Sequence, residues 1–328
     1  MEKSAIKINN KKDASKAIKV LIQQWADAED QTTRVNTLVQ MKKICESTPA
    51  VLEKCMKSIY LTYAKYSRHV IEENIDAIHL LRNCVAEIYS LDATLAYQHA
   101  FVYIRQLAIH VRNALQTKSE EDIRLIYNWQ FINSLDLWTH IVCESSIKDA
   151  MQPLVFPLIQ VIDSTIRLIP ASRYYPLRLH CCNMLIHMTK SLNIHIPVAP
   201  YLLDIINDDI FLQKPSHDKS KPPAIDYSLK ISKTSIRGRT IQDVLMSKTL
   251  AMLNDYVSFY QNNVAYPELV FAITKNLHTF VKNTKMQHWR DAAKSMIQKY
   301  EKQAEYITVK RETLVGAPAS LPSMEIEH

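Results

Sequence analysis

The sequence predicts an all-α protein, and three features of the printed chain support this fold class. Only two of the 328 residues are glycine, Gly238 and Gly316. Hairpin turns and nucleotide-binding loops depend on glycine, because its backbone reaches positive φ without a steric cost. Apolar residues recur at helical spacing along nearly the whole chain. Signals for helix starts recur about every twenty residues.

The segment from Ile75 to Ile88 shows the helical periodicity clearly. Its apolar residues are three or four positions apart, and charged residues lie between them. This is the pattern of an amphipathic helix that buries one face. The apolar positions are Ile75, Ile78, Leu81, Val85 and Ile88.

The starts of further helices follow in chain order. Ser119 and Asp122 form a capping box ahead of a predicted helix over 123–142. Asp92 is a further N-cap residue, because its carboxylate can accept hydrogen bonds from the free amides of the first turn. Proline marks the other starts, since its ring is tolerated only in the first turn of a helix. These prolines are Pro49, Pro176, Pro197 and Pro267.

About twelve such helices with short connections are too many for one four-helix core. We therefore predict a HEAT-like or ARM-like helical-repeat solenoid of antiparallel helices, although the sequence contains no strict repeat. The predicted organisation is a basic N-terminal tail over 1–13, a main helical-repeat block over 14–211, an exposed Lys/Pro loop over 212–228, a C-terminal helical block over 229–310 and a flexible tail over 311–328.

Positive charge is concentrated in the last third of the chain, although the net charge is only +7. Seven basic and two acidic residues lie between Leu212 and Arg239, and nine basic and three acidic residues lie between Ile273 and Arg311. Such clusters can neutralise phosphates of RNA, or they can be ordinary solvated surface. The residues predicted to contact RNA are Lys230, Lys233, Arg237 and Arg239.

The composition argues against most enzyme classes. Dinucleotide folds, P-loops, nucleophile elbows and kinase loops all need glycine motifs that this chain does not contain. His180 and His187 are seven residues apart on one predicted helix with Cys181 and Cys182, which is the wrong spacing for one metal ion. We expect a protein with no catalytic residue, metal or cofactor. A helical enzyme with an unrecognised site is a remaining alternative.

The six cysteines lie in predicted helices and form no C-x-x-C pair. They are therefore expected to be reduced core thiols of an intracellular protein. The segment from Met1 to Lys19 lacks the apolar run of a signal peptide. No stretch approaches the roughly 20 uncharged apolar residues of a membrane span, so we expect neither secretion nor membrane insertion.

Two segments combine arginine with large aromatic side chains. Such residues dominate protein interfaces, and they also pack inside helical cores with their polar tips satisfied. The sequence leaves both roles open. The residues predicted to bind a partner or form internal junctions are Tyr127, Trp129, Arg173, Tyr174, Tyr175 and Arg178.

Several ordered blocks of sequence resemble the nucleolar complex protein two family. The blocks are AYQHAFVYIRQLAIHVRNAL at 96–115, IYNWQFINSLDLW at 126–138, PLVFPLIQVI, RLIPASRYYPLRLHC, IPVAPYLLDII, LKISK at 229–233 and PELV at 267–270. The resemblance covers about 52–310. It implies a non-enzymatic, helical-repeat assembly factor of the large ribosomal subunit in the nucleolus and nucleoplasm. It also implies successive pairing with two other helical-repeat members on pre-60S particles.

The chain departs from the family pattern in two respects. Members usually carry long charged, disordered extensions before the helical region and more chain after it, and both are short here, so functions of such extensions, including nuclear import, are not implied. Asn193 stands where relatives tend to have glycine, and asparagine also tolerates the left-handed conformation of a helix C-cap. A generic helical-repeat adaptor for transport or transcriptional regulation is the alternative function.

Overall fold

The computed structural model describes residues 10–216 and 224–312, and this part of the chain contains fourteen α-helices and no β-strand. The predicted all-α fold class is confirmed. The described residues include one isolated bridge, which pairs Ser216 with Gly238. The contacts divide the chain into two compact units, Met1–Ile169 and Pro170–His328.

Each unit is a set of helices joined mostly by short connections. The helices of the first unit are α1 Lys11–Asp27, α2 Gln31–Ser47, α3 Leu52–Tyr66, α4 Ile75–Tyr89, α5 Ala93–Thr117, α6 Glu120–Ile126, α7 Trp129–Val142 and α8 Lys148–Leu168. Those of the second are α9 Tyr175–Leu192, α10 Ala199–Ile206, α11 Asp209–Leu212, α12 Arg239–Phe259, α13 Tyr266–Asn283 and α14 Gln287–Glu312.

The predicted domain bounds stay predictions, because parts of them fall outside the described residues. These parts are 1–9 of the N-terminal tail, 217–223 of the Lys/Pro loop and 313–328 of the C-terminal tail. The Lys/Pro loop lies within the second unit. Of its described residues, Ile225–Tyr227 form a 3₁₀ turn.

The first four helices pack as two neighbouring pairs. Helix α1 contacts α2 and α3, while α4 contacts α2 and α3. Three residues connect α1 to α2. A connection this short between two contacting helices is typical of an antiparallel helical hairpin. This local arrangement is typical of helical repeats, and the solenoid architecture of the whole chain stays a prediction.

The core of the first unit contains a cluster of aromatic rings around Trp138, which is fully buried. The ring centroids of Tyr60, Tyr89 and Tyr103 lie 5.2, 5.5 and 5.7 Å from that of Trp138. The hydroxyl of Tyr89 donates to the carbonyl of Met56 at 3.2 Å. Each aromatic pair contributes about 0.5–1.5 kcal/mol of stabilising free energy beyond its area burial. Because the four rings come from α3, α4, α5 and α7, the cluster stabilises the packing of these helices.

Helix ends follow the expected capping chemistry with one correction. Asn193 has φ 52° and ends α9 in the left-handed conformation, as predicted. The helix predicted over 123–142 is wrong as a single element, because the chain breaks at Tyr127 and Asn128 into α6 and α7. The side chain of Asn128 accepts from the amide of Phe131 at 3.0 Å and so begins a new helix.

The second unit ends in the helical hairpin α13–α14, whose two helices pack along each other. The guanidinium of Arg311 near the end of α14 lies 2.7 Å from the carboxylate of Glu268 at the start of α13, so the two helices are antiparallel. Elsewhere in this unit, Phe211 stacks on Tyr175 and meets Trp289 edge to face, with ring centroids 6.3 and 5.8 Å away. These rings connect α9, α11 and α14.

Candidate binding surfaces

The four predicted RNA-contacting residues lie close together in sequence, on the loop that leads into α12 and at the first residue of α12. All four side chains are exposed. Apolar side chains beside and between them are buried: Leu229, Ile231 and Ile236. Burial therefore alternates along 229–232, although these residues form no β-strand. The exposed residues, which we call the basic loop, are Lys230, Lys233, Arg237 and Arg239.

Backbone hydrogen bonds hold the basic loop in place. The amide of Ile231 donates to the carbonyl of Arg173 at 2.7 Å. At the other end, the amide of Ser216 donates to the carbonyl of Arg237 at 2.9 Å, and the amide of Arg239 donates to the carbonyl of Ser216 at 3.2 Å. A loop fixed at both ends presents its charges at a lower entropic cost than a free one.

The charges of the basic loop differ in how far they are neutralised internally. Arg239 lies 3.7 Å from Asp243, which also contacts His288 Nε2 at 2.8 Å. Lys230, Lys233 and Arg237 form no ion pair within the described part of the chain. Among the described residues, no carboxylate neutralises these three charges.

Tyr127 serves as an internal junction of the first unit. Its hydroxyl donates to the carbonyl of Thr165 at 3.1 Å and accepts from the amide of Ile169 at 3.0 Å. These bonds attach the α6–α7 break to the C-terminal end of α8. Trp129, the first residue of α7, is half-buried.

Tyr175 and Arg178 are buried within the second unit. The hydroxyl of Tyr175 donates to the carboxylate of Asp208. Burial, followed by this hydrogen bond, raises the pKa of Tyr175 well above its ordinary value. The guanidinium of Arg178 lies 5.5 Å from the centre of the Tyr175 ring and 3.9 Å from Asp204. This cluster stabilises the fold, so partner binding through it would require a rearrangement.

Arg173 and Tyr174 precede that cluster and are half-buried. The guanidinium of Arg173 lies 5.5 Å from the centre of the Tyr174 ring. The structure thus brings together Arg173, Tyr174, Tyr175 and Arg178, while Tyr127 and Trp129 lie in the other unit. Partner binding by the six residues stays a prediction.

Exposed apolar side chains form a surface that sequence reasoning missed. On α5, Phe101, Val102 and Ile109 are 46%, 48% and 37% exposed. Arg105 and Arg112 are exposed on the same helix. The opposite face of α5 is also apolar and buried, so periodicity could not show which face meets solvent. The only available signal was apolar residues on more than one face of the helix.

The described residues provide no arrangement typical of a metal site. No group of three or more His, Cys, Asp or Glu residues in 10–216 and 224–312 could hold a metal ion. Cys181 and Cys182 are fully buried, and burial raises the pKa of the Cys182 thiol to about 12. These thiols are packing residues. None of the helices in the described ranges is both long and apolar enough to cross a membrane.

Comparison with known proteins identifies the family. A sequence model described as the Noc2p family matches residues 50–325. The chain belongs to the Noc2p family. Nucleolar complex protein 2 of Drosophila melanogaster is 32% identical over 90% of this chain and 38% of its own length. Nucleolar complex-associated protein 2 of Arabidopsis thaliana is 33% identical over 93% of this chain and 40% of its own length.

The family match extends across both compact units. It confirms the resemblance seen in the ordered sequence blocks. A further relative, Protein REBELOTE of Arabidopsis thaliana, is 24% identical over 92% of this chain and 50% of its own length. This Noc2p-family chain therefore spans about two fifths to one half of the length of these relatives.

Proposed function

We propose that this Noc2p-family chain is a non-enzymatic scaffold in ribosome biogenesis. It forms heterodimers with other nucleolar complex helical-repeat proteins on pre-60S particles, in the nucleolus and nucleoplasm. There it supports maturation and intranuclear transport of the large subunit, in contact with ribosomal proteins and assembly factors. The observation that carries the proposal is the family match over 50–325, joined to relatives whose names identify them as nucleolar complex proteins.

Contact with pre-rRNA would use the basic loop. Lys230, Lys233 and Arg237 are exposed and have no internal ion pair within the described residues. Each phosphate that such a side chain neutralises releases counterions, which adds salt-dependent affinity. The loop lacks an exposed aromatic side chain on which a base could stack, so contact with the RNA backbone is the mode that it favours.

The heterodimer would use the exposed face of α5. This helix has 25 residues and is therefore about 37 Å long. Its exposed Phe101, Val102 and Ile109 alternate with Arg105 and Arg112, and aromatic and arginine side chains are enriched at protein interfaces. A helix of the partner could cover this face and remove its apolar side chains from water.

The test is affinity purification of the tagged chain from its own cells, with and without nuclease, followed by mass spectrometry. The proposal predicts a second nucleolar complex protein that resists nuclease and large-subunit proteins that are lost on nuclease treatment. Phe101→Glu with Ile109→Glu should remove the protein partner. Val20→Glu, at a residue of α1 that is 62% exposed, is the matched control and should keep it.

The alternative is a generic helical-repeat adaptor in transport or transcriptional regulation. It would explain the helical fold equally well. It predicts recovery of partners outside the ribosome pathway and no co-sedimentation with pre-60S particles. The family match favours the ribosomal function.

A further inference from the structure

A groove runs along the last helical hairpin of the described chain. It has a volume of about 680 Å³ and lies between α13 and α14. Pro267, Val270 and Phe271 provide apolar lining from α13, and Ala304 contributes from α14. The lining on α13 extends from Pro267 to Lys282, which corresponds to about 22 Å of helix. That length matches four turns of a docked helix.

The groove exposes an anchor of the kind that protein interfaces use. Phe271 is 71% exposed, the largest value among the large apolar side chains of the described residues. Its neighbours Val270 and Ile273 on α13 are buried, so the helix itself is fixed while this ring is left in water. An aromatic side chain beside an apolar groove gains free energy when a partner covers it.

The positive charge on the α13 side of the groove favours an acidic partner. Phe271, Lys275, His278 and Lys282 are four, three and four residues apart and so share one face of α13. The single acidic residue in the lining, Glu301, lies 3.1 Å from His278 Nε2. Lys275 and Lys282 are exposed and form no ion pair among the described residues. The net unpaired charge of this face is therefore positive.

We propose that the α13–α14 groove docks an acidic amphipathic helix of a partner protein. The apolar face of that helix covers Phe271 and Val270, and its carboxylates pair with Lys275 and Lys282. A protein fits better than RNA, because Pro267, Val270, Phe271 and Ala304 form an apolar patch at one end of the lining that carboxylate-bearing apolar helices can cover. This docking site is additional to the heterodimer face on α5 and to the basic loop, and it does not depend on the proposed function.

The test measures fluorescence anisotropy of labelled peptides with the purified full chain. The probe is a synthetic helix of about 18 residues, with leucine at every third or fourth position and glutamate beside it. A second peptide replaces each glutamate by lysine, and a third has the composition of the first in an order without helical periodicity. The acidic amphipathic peptide should bind about tenfold more tightly than either control.

Matched variants locate the binding. Phe271→Ala should lower the affinity for the acidic peptide at least about tenfold. Phe156→Ala removes a phenylalanine of α8 with nearly equal exposure, 69%, and should have no effect. Lys275→Glu with Lys282→Glu should reverse the preference toward the lysine peptide. Lys16→Glu with Lys19→Glu makes the same charge change at two exposed lysines of α1 and should retain the preference for the acidic peptide.

Four outcomes would overturn the proposal. Equal affinity for the acidic and lysine peptides would show that charge does not select the partner. An unchanged affinity of the Phe271→Ala variant for the acidic peptide would show that the peptide does not bind in the groove. Displacement of the peptide by single-stranded RNA would assign the groove to nucleic acid. Tighter peptide binding by Glu325→Gln with Glu327→Gln would assign the groove to the chain's own acidic residues instead of to a partner protein. Failure of any kind leaves the nuclease experiment on the proposed function unaffected.

Discussion

The cluster around Tyr175 and the basic loop lie in the same unit, and the amide of Ile231 donates to the carbonyl of Arg173 between them. Positive side chains are buried in the first region and exposed in the second. Arg178 is 9% exposed and lies against an aromatic ring. Lys230 is exposed and has no ion pair within the described residues. Arginine in the first region stabilises the fold, whereas charge in the second remains available for binding.

Replacement of Tyr175 should give the largest difference between the two regions. Tyr175→Ala removes a buried ring that stacks on Phe211, and such truncations cost about 3–5 kcal/mol. Lys230→Ala should change the free energy of unfolding by about 0.5 kcal/mol or less, because its side chain is exposed. Chemical denaturation of both variants measures this. Equal effects would contradict the assignment of one region to folding.

Charge reversal of the basic loop should weaken RNA binding without unfolding the protein. The variant carries Glu at 230, 233, 237 and 239, and we expect at least about a tenfold loss of affinity for single-stranded RNA at moderate salt. The slope of log affinity against log salt should fall by about 3 if all four side chains contact phosphate. Filter binding over a salt series gives both values. Reversals at Lys285, just before α14, and at Lys294, Lys299 and Lys302 on α14 provide the control, and an equal loss there would indicate an unspecific charge effect.

The pKa of Tyr175 predicts a dependence of stability on alkaline pH. Burial and the bond to Asp208 raise this pKa above the ordinary value of 10.0. The folded state therefore holds the phenolic proton more tightly, and its stabilising contribution is complete below pH 10 and is lost as the pH rises further. Above pH 10 the wild type should lose up to about 1.4 kcal/mol per pH unit more than Tyr175→Phe. Parallel pH profiles of the two proteins would refute this interpretation.

Replacement of Asp243 should give the smallest effect of the four predictions, a change in RNA affinity. Its carboxylate lies 3.7 Å from Arg239 and 2.8 Å from His288, so it partly neutralises the basic loop. Asp243→Asn should tighten RNA binding about two- to threefold, because exposed ion pairs are worth less than about 1 kcal/mol. The control is Asp255→Asn on α12, which removes the exposed ion-pair partner of Lys190. An unchanged affinity of Asp243→Asn would mean that Arg239 does not contact RNA.

Much of the fold could be predicted from local sequence chemistry. The scarcity of glycine and the helical spacing indicate helices, and Asp92 indicates where α5 begins because its carboxylate accepts from the amides of Thr94 and Leu95. Asn128 is a local N-cap signal for α7, but the tertiary contacts that fix the break between α6 and α7 could not be predicted. The break depends on Tyr127, whose hydroxyl bonds to Thr165 and Ile169 at the distant end of α8.

The candidate surfaces divide in the same way. Exposure of Lys230 and Lys233 follows from the cost of burying lysine, so the basic loop could be predicted. Burial of Arg178 depends on the ring of Tyr175 and on tertiary packing around both residues. Exposure of Phe271 also could not be predicted, because apolar residues lie on more than one face of α13 and periodicity does not say which face is covered.

The most direct test examines the basic loop and the α5 face together in one purification from cells. The tagged variant with all four basic-loop residues reversed to Glu should still recover a nuclease-resistant nucleolar complex protein, because the α5 face is unchanged. It should lose the large-subunit proteins that the wild type recovers without nuclease. Recovery of the large-subunit proteins at wild-type levels would contradict the claim that the basic loop contacts the pre-ribosome.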